Sequence, residues 1–131
     1  MTIRVKIVPK DISTVAKIVL IDESNRALFL KRSYKNDKYP GQWDLPGGHL
    51  MENESILDGL FREILEETSL TVKEAVFVTK IENTHFFMAK YDSQPIKLSK
   101  EHTAYSFISR KNIKGKDKFE KVALMVMGDE R

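Results

Sequence analysis

The chain has 131 residues, 41% hydrophobic and 31% charged, a balance that suits one globular domain over residues 1–131 with a core of its own. Without cysteine it has neither disulfides nor thiolate metal sites, and no apolar run approaches the ~18 residues of a membrane span. Net charge is +3, but residues 52–67 carry six acids against Arg62, a local −5 that leaves +8 on the rest; an acidic patch on a basic body suits capture of cations and then of polyanions carrying them.

In chain order, residues 2–8 alternate Ile3, Val5 and Ile7 with polar side chains, the period of a half-exposed strand. Arg4 and Lys6 have no apolar stretch behind them, so no signal peptide is expected and a cytoplasmic setting is. Residues 13–21 form a more apolar strand. Residues 22–25 (DESN) supply turn chemistry, and residues 27–31 return as the hairpin partner. Residues 33–42 read as a surface loop, and residues 43–45 as a short strand entering the turn Pro46-Gly47-Gly48.

Ser55 with Asp58 three residues on is a capping-box arrangement, so a helix should begin at residue 54 or 55. Leu57, Leu60, Phe61, Ile64 and Leu65 recur at spacings of three and four and predict its buried face. Arg62, Glu63, Glu66 and Glu67 fall on another face, where like charges at i, i+3 and i+4 cost a helix roughly 0.2–0.5 kcal/mol per pair. A divalent cation offsets that repulsion, because hard cations such as Mg²⁺ prefer carboxylate oxygens and keep room for substrate phosphates. A solvated acidic face is the alternative.

Beyond the helix, residues 72–81 and 84–91 predict a strand pair, residues 92–100 a loop, and residues 103–109 a last strand. Residues 116–127, with Phe119, Val122, Ala123 and Val126 at helical spacing, predict a closing amphipathic helix. The sum is an α/β chain: a mixed β-sheet with a helix on each side, an α/β/α sandwich.

Gly48, five residues, Glu54, seven residues, then Arg62-Glu63-Ile64-x-Glu66-Glu67-x-x-Leu70 resembles the Nudix box, with one departure: Ser69 stands where that family has glycine. The flanking LFLKR and GQWDLPGG segments fit the same resemblance. It implies the Nudix fold and a MutT-like hydrolase that cleaves a nucleoside diphosphate linked to another group, using Mg²⁺ or Mn²⁺. On this reading Glu63 and Glu67 are direct metal ligands and Glu66 is a third ligand or the base. A backbone carbonyl at Gly47 or Gly48 adds a further ligand, and Arg62 fixes a neighbouring carboxylate. Glu54 reaches the metals through water or only favours the helix dipole. Glu101 matches a position where relatives keep an extra base or ligand, and Arg32 one where they place a phosphate-binding arginine. Trp43, Phe86, Phe87 and Tyr105 are candidates to stack a base, whereas His49, His85 and His102 lack the spacing of a zinc site.

The partner implied is a small nucleotide, with no membrane; oligomeric state is open and admits a homodimer. The basic residues Arg110, Lys111, Lys114, Lys116, Lys118 and Lys121 leave room for a second substrate, the 5′ end of an RNA. A third reading is a catalytically silent module that senses a nucleotide. The missing glycine predicts a left-handed residue 69 after the helix, and Gly59 inside the helix predicts close packing.

Overall fold

The computed structural model describes residues 13–128, so the strand expected over residues 2–8 lies outside the described residues. Among the described residues, seven strands and two helices follow one another: β1 (Val15–Ile21), β2 (Arg26–Arg32), β3 (Trp43–Asp44), β4 (Gly47–His49), α1 (Ile56–Thr68), β5 (Val76–Ile81), β6 (Thr84–Lys90), β7 (His102–Ser109) and α2 (Lys118–Val126). A 3₁₀ turn, Arg110–Asn112, precedes α2. No described helix is long and apolar enough to cross a membrane.

The β1–β2 hairpin splays, and the splay makes the site. β1 runs parallel to β6 along its whole length. Its other edge is divided: Ile21 pairs with Ala27 of β2, while Val15, Ala16 and Lys17 pair with β4. β2 is divided in the same way, with β7 on one edge and, at Leu30 and Lys31, β3 on the other. The segment from Trp43 to His49 is thereby wedged between the diverging strands, tied by a bond from Ile18 N–H to the Pro46 carbonyl at 2.9 Å.

Alternation along the strands separates two cores. Ala16, Ile18, Leu20, Leu28, Leu30 and Phe87 face α1 and bury against Leu60 and Ile64. Val19, Ala27, Phe29 and Phe86 face α2 and bury against Val122 and Ala123. This is the expected mixed sheet with a helix on each side.

α1 starts where its cap requires. Ser55 is extended, and its hydroxyl accepts from the Asp58 amide at 3.1 Å. The expected buried face needs correction, since Leu57 is 38% and Leu65 51% exposed. The buried stripe runs through Leu60, Ile64, Glu67 and Thr68. The apolar pattern misleads because a carboxylate, Glu67, takes one of the inward positions. Gly59 faces inward too: a Cβ there would stand 2.1 Å from Leu50 Cδ2 and 2.9 Å from Glu54 Oε1. β5 begins at Val76 rather than 72; Val72 and Ala75 instead pack irregularly against the α1-side core.

Ser69 follows α1 at φ 67°, ψ 11°, the left-handed conformation, and its amide closes the helix on Leu65. Its hydroxyl donates to the Lys97 carbonyl at 3.1 Å. Ser69→Gly should relieve a left-handed strain of about 1 kcal/mol and lose an exposed hydrogen bond worth about half that. A small rise in melting temperature is expected; a clear fall would mean that the Lys97 bond outweighs the strain.

Candidate functional site

The wedge segment supplies the floor of the site and α1 its wall. Gly47 has φ 125°, a backbone conformation that only glycine adopts readily. That conformation turns its N–H toward α1, where Glu67 Oε1 accepts it at 2.9 Å. Gly48 lies directly beneath the neighbouring carboxylate. A Cβ on it would meet the carboxyl carbon and both oxygens of Glu63 at 2.7–2.9 Å. Two carboxylates one helical turn apart are thus held against two successive glycines.

Their electrostatics are those of a site short of positive charge. Glu67 is 7% exposed, and burial pushes its carboxyl up to about 8 although Lys17 and the Gly47 amide pull the other way. Burial also raises Glu63, opposed by Arg62 and reinforced by Glu66. Glu101 contributes to the same rise, which brings the loop before β7 into electrostatic range of the site.

Arg62 organises the solvent side. Its Nε donates to Glu54 Oε2 at 2.7 Å, one terminal nitrogen to Glu66 at 3.2 Å, and the other to the His49 carbonyl at 3.1 Å. Its closest approach to Glu63 is longer, 3.6 Å. Glu54 also accepts from the Met51 amide, and the Arg62 bond holds its carboxyl below the usual range. The four acids therefore differ in kind: Glu54 and Glu66 are held by Arg62, whereas Glu63 and Glu67 are the desolvated pair.

Among the described residues no three His, Asp or Glu side chains converge into a metal cage. An oxygen-only pair of carboxylates on a glycine floor instead fits a hard cation that completes its coordination with waters and phosphate oxygens. Glycine at 48 is what lets Glu63 lie flat on the backbone. Gly48→Ala should therefore cost little stability, because the flexible carboxylate end can move. It should cut turnover about 100-fold, the scale of a misplacement near 1 Å. Melting temperature and kcat measured together test this, and an unchanged kcat would contradict it.

The other expected residues scatter. Arg32 lies at the end of β2, where its Nε donates to the Lys38 carbonyl at 2.9 Å and so braces the 33–42 loop. Trp43 is 40% exposed but faces the α2 side, lining a cleft of about 470 Å³ with Phe29, Gln42, Ile108, Ile113 and Lys116. Phe86 and Phe87 sit in the two cores, and Phe87 packs edge-on against Phe77, so neither ring offers a face to a ligand. Tyr105 is exposed, cross-strand from Leu30. Arg110 donates to the carbonyls of Leu124 and Met127 at the end of α2, and Lys118 pairs with Glu82; Lys111, Lys114, Lys116 and Lys121 are exposed.

Two residues next to the site escape the sequence reading: Lys17 and Asp44, a buried pair at 3.0 Å. The signal for the first is a lone lysine inside the apolar run VAKIVLI.

A family model described as "NUDIX domain" matches residues 12–124. A MutT protein from Methanosarcina mazei Go1 superposes with a TM-score of 0.70 at 28% identity, covering 85% of this chain and 89% of that one. A MutT NUDIX hydrolase from Burkholderia pseudomallei gives 0.71 at 21% identity, with 86% and 95% covered, and shows the shared fold. An m7GpppN-mRNA hydrolase, NUDT17 of Danio rerio, is 39% identical over 59 residues, which are 44% of this chain and only 20% of that protein.

Proposed function

The chain belongs to the NUDIX domain family, and from that membership we propose that it is a pyrophosphohydrolase acting on a nucleoside triphosphate or another nucleoside diphosphate-linked compound with Mg²⁺ or Mn²⁺. The observation that carries this reading is the desolvated pair Glu63 and Glu67 on the Gly47–Gly48 floor. Those two side chains would hold the cation beside the Gly48 backbone, since the Gly47 carbonyl already accepts from Lys17. The bound cation would neutralise the phosphate oxygens at which charge develops.

The chain's own residues do the rest. Arg62 keeps Glu54 and Glu66 in fixed rotamers at the rim of the site. Glu66 or Glu101, both exposed, takes the proton of the attacking water. The water oxygen forms a bond to phosphorus as the bridging P–O bond breaks, and the leaving phosphate carries away the electron pair. Trp43, in the cleft on the α2 side that Lys116, Asp117 and Glu120 also line, offers an aromatic face on which a base would stack. Arg32, bracing the loop beside β3, would meet a phosphate.

The test is a screen with Mg²⁺ of NTPs, oxidised dNTPs, dinucleoside polyphosphates, nucleotide sugars and 5′-triphosphorylated RNA, with products analysed in ¹⁸O water to find the phosphorus attacked. Metal-dependent release of a nucleotide or of pyrophosphate is expected; inertness toward every class would favour the silent sensing module.

A second reading, action on an RNA 5′ end, draws on the partial likeness to the m7GpppN-mRNA hydrolase and on exposed Lys111, Lys114, Lys116 and Lys121. Salt separates the two readings. Binding of a 5′-triphosphate oligonucleotide that weakens much more steeply with salt than that of a mononucleotide favours RNA.

A further inference from the structure

Lys17 is the one charged residue in β1, and it is buried. Its ammonium donates to Asp44 Oδ2 at 3.0 Å, to the Leu45 carbonyl at 3.1 Å and to the Gly47 carbonyl at 3.0 Å. An ammonium has three protons, and these three acceptors use them all. It therefore has no proton free for a substrate.

All three acceptors lie on the wedge between β3 and β4. Within the same stretch the Pro46 carbonyl accepts from Ile18 and the Gly47 N–H donates to Glu67, and the next residue is the Gly48 on which Glu63 rests. An apolar side chain would fill the same place in β1, as Val19 does two residues on, but would hold none of these oxygens.

We propose that Lys17 is a positioning residue for the hydrolysis: it clamps residues 44–47 to β1 so that the Gly47 amide is aimed at Glu67 and Gly48 lies beneath Glu63. This rests on Glu63 and Glu67 being the pair that serves the reaction. A lysine is suited to the task because three acceptors converge on one small head group; the planar fork of arginine spreads its donors in a plane.

The experiment uses the full chain and the variants Lys17→Met and Lys17→Arg. Hydrogen exchange of the Gly47 amide is read by NMR in metal-free protein, and kcat and KM are read with Mg²⁺ on the best wild-type substrate. Lys17→Met should exchange the Gly47 amide at least about tenfold faster. Its kcat should fall about 100-fold with KM changed far less, as a misplaced rather than a missing contact does. A folded Lys17→Met with wild-type exchange and wild-type kcat overturns the proposal, since the lysine would then only fill space. Should that variant not fold, Lys17→Arg decides: at least about a tenfold loss of kcat is expected, and full activity overturns the clamp. A wild type that turns over nothing would be a failure of the functional reading, and the Gly47 exchange rates would still decide whether Lys17 holds the turn.

Discussion

Glu67→Gln is expected to abolish hydrolysis while leaving the fold intact or firmer. The amide keeps an oxygen for the Gly47 N–H, now 2.9 Å from Glu67 Oε1, so the local packing survives. What goes is the negative charge. Several kcal/mol of charge stabilisation act through a bound cation, and each 1.36 kcal/mol is tenfold in rate, so a loss of at least about 10³-fold is predicted. The same substitution removes a pH dependence. Burial holds the Glu67 carboxyl up at about 8, against 4.5 for the free side chain. Between those values the folded chain retains a proton that the unfolded chain has released. Metal-free stability contributed by this group therefore falls as pH rises through that window, and the loss is complete above it. Melting curves of metal-free protein at pH 5 and pH 9 should show this fall in the wild type and a weaker one in Glu67→Gln. Equal turnover in the two proteins would refute the assignment of Glu67.

Gly47→Ala is expected to give the largest loss of stability. At φ 125° an added Cβ would lie 2.1 Å from the Ala16 carbonyl oxygen and 2.8 Å from Lys17 Cα. Both are backbone atoms of β1, inside a ladder that cannot give way without breaking the wedge. The conformation alone costs a side-chain residue on the order of 1–3 kcal/mol, and the clash adds to it. A total of about 3 kcal/mol or more should lower the melting temperature by on the order of 10 °C. Gly48→Ala, one residue along, meets a flexible carboxylate instead. The pair should therefore separate, stability lost at 47 and activity at 48. If both variants melt like the wild type, the turn is not built as described.

Much of this architecture is legible in the residues. The Asp-Glu-Ser-Asn turn gives the β1–β2 hairpin, and Ser55 sets the first turn of α1 through its bond to the Asp58 amide. Ser69 adopts the left-handed backbone expected where the box has glycine. α2 is shorter at both ends than its apolar spacing suggests: Asp117 fixes its start by accepting from the Glu120 amide, and Met127, in extended backbone, ends it.

The remainder depends on contacts between distant segments. Nothing local in Gly-Gly-His announces a strand; β4 exists because the splay leaves the edge of β1 unpaired. Periodicity assigns Glu67 to the outside, since a burial rule cannot foresee a carboxylate that turns inward to meet a glycine amide 20 residues away. Aromatic residues in strands look alike in sequence. Their facing is decided by register, which puts Phe87 under α1 and Trp43 beside α2. Lys17 is visible as an oddity in an apolar strand, but its three acceptors, 27–30 residues on, are not.

In a pyrophosphohydrolase of this fold the acids of α1 would grip cations that hold a diphosphate in place for water. Electron paramagnetic resonance of Mn²⁺, titrated into the wild type and Glu67→Gln beside a non-hydrolysable nucleotide, tests this most directly. A bound, saturable Mn²⁺ signal is expected in the wild type and its absence in the variant. Binding that is absent from the wild type, or undiminished in the variant, would contradict such a grip.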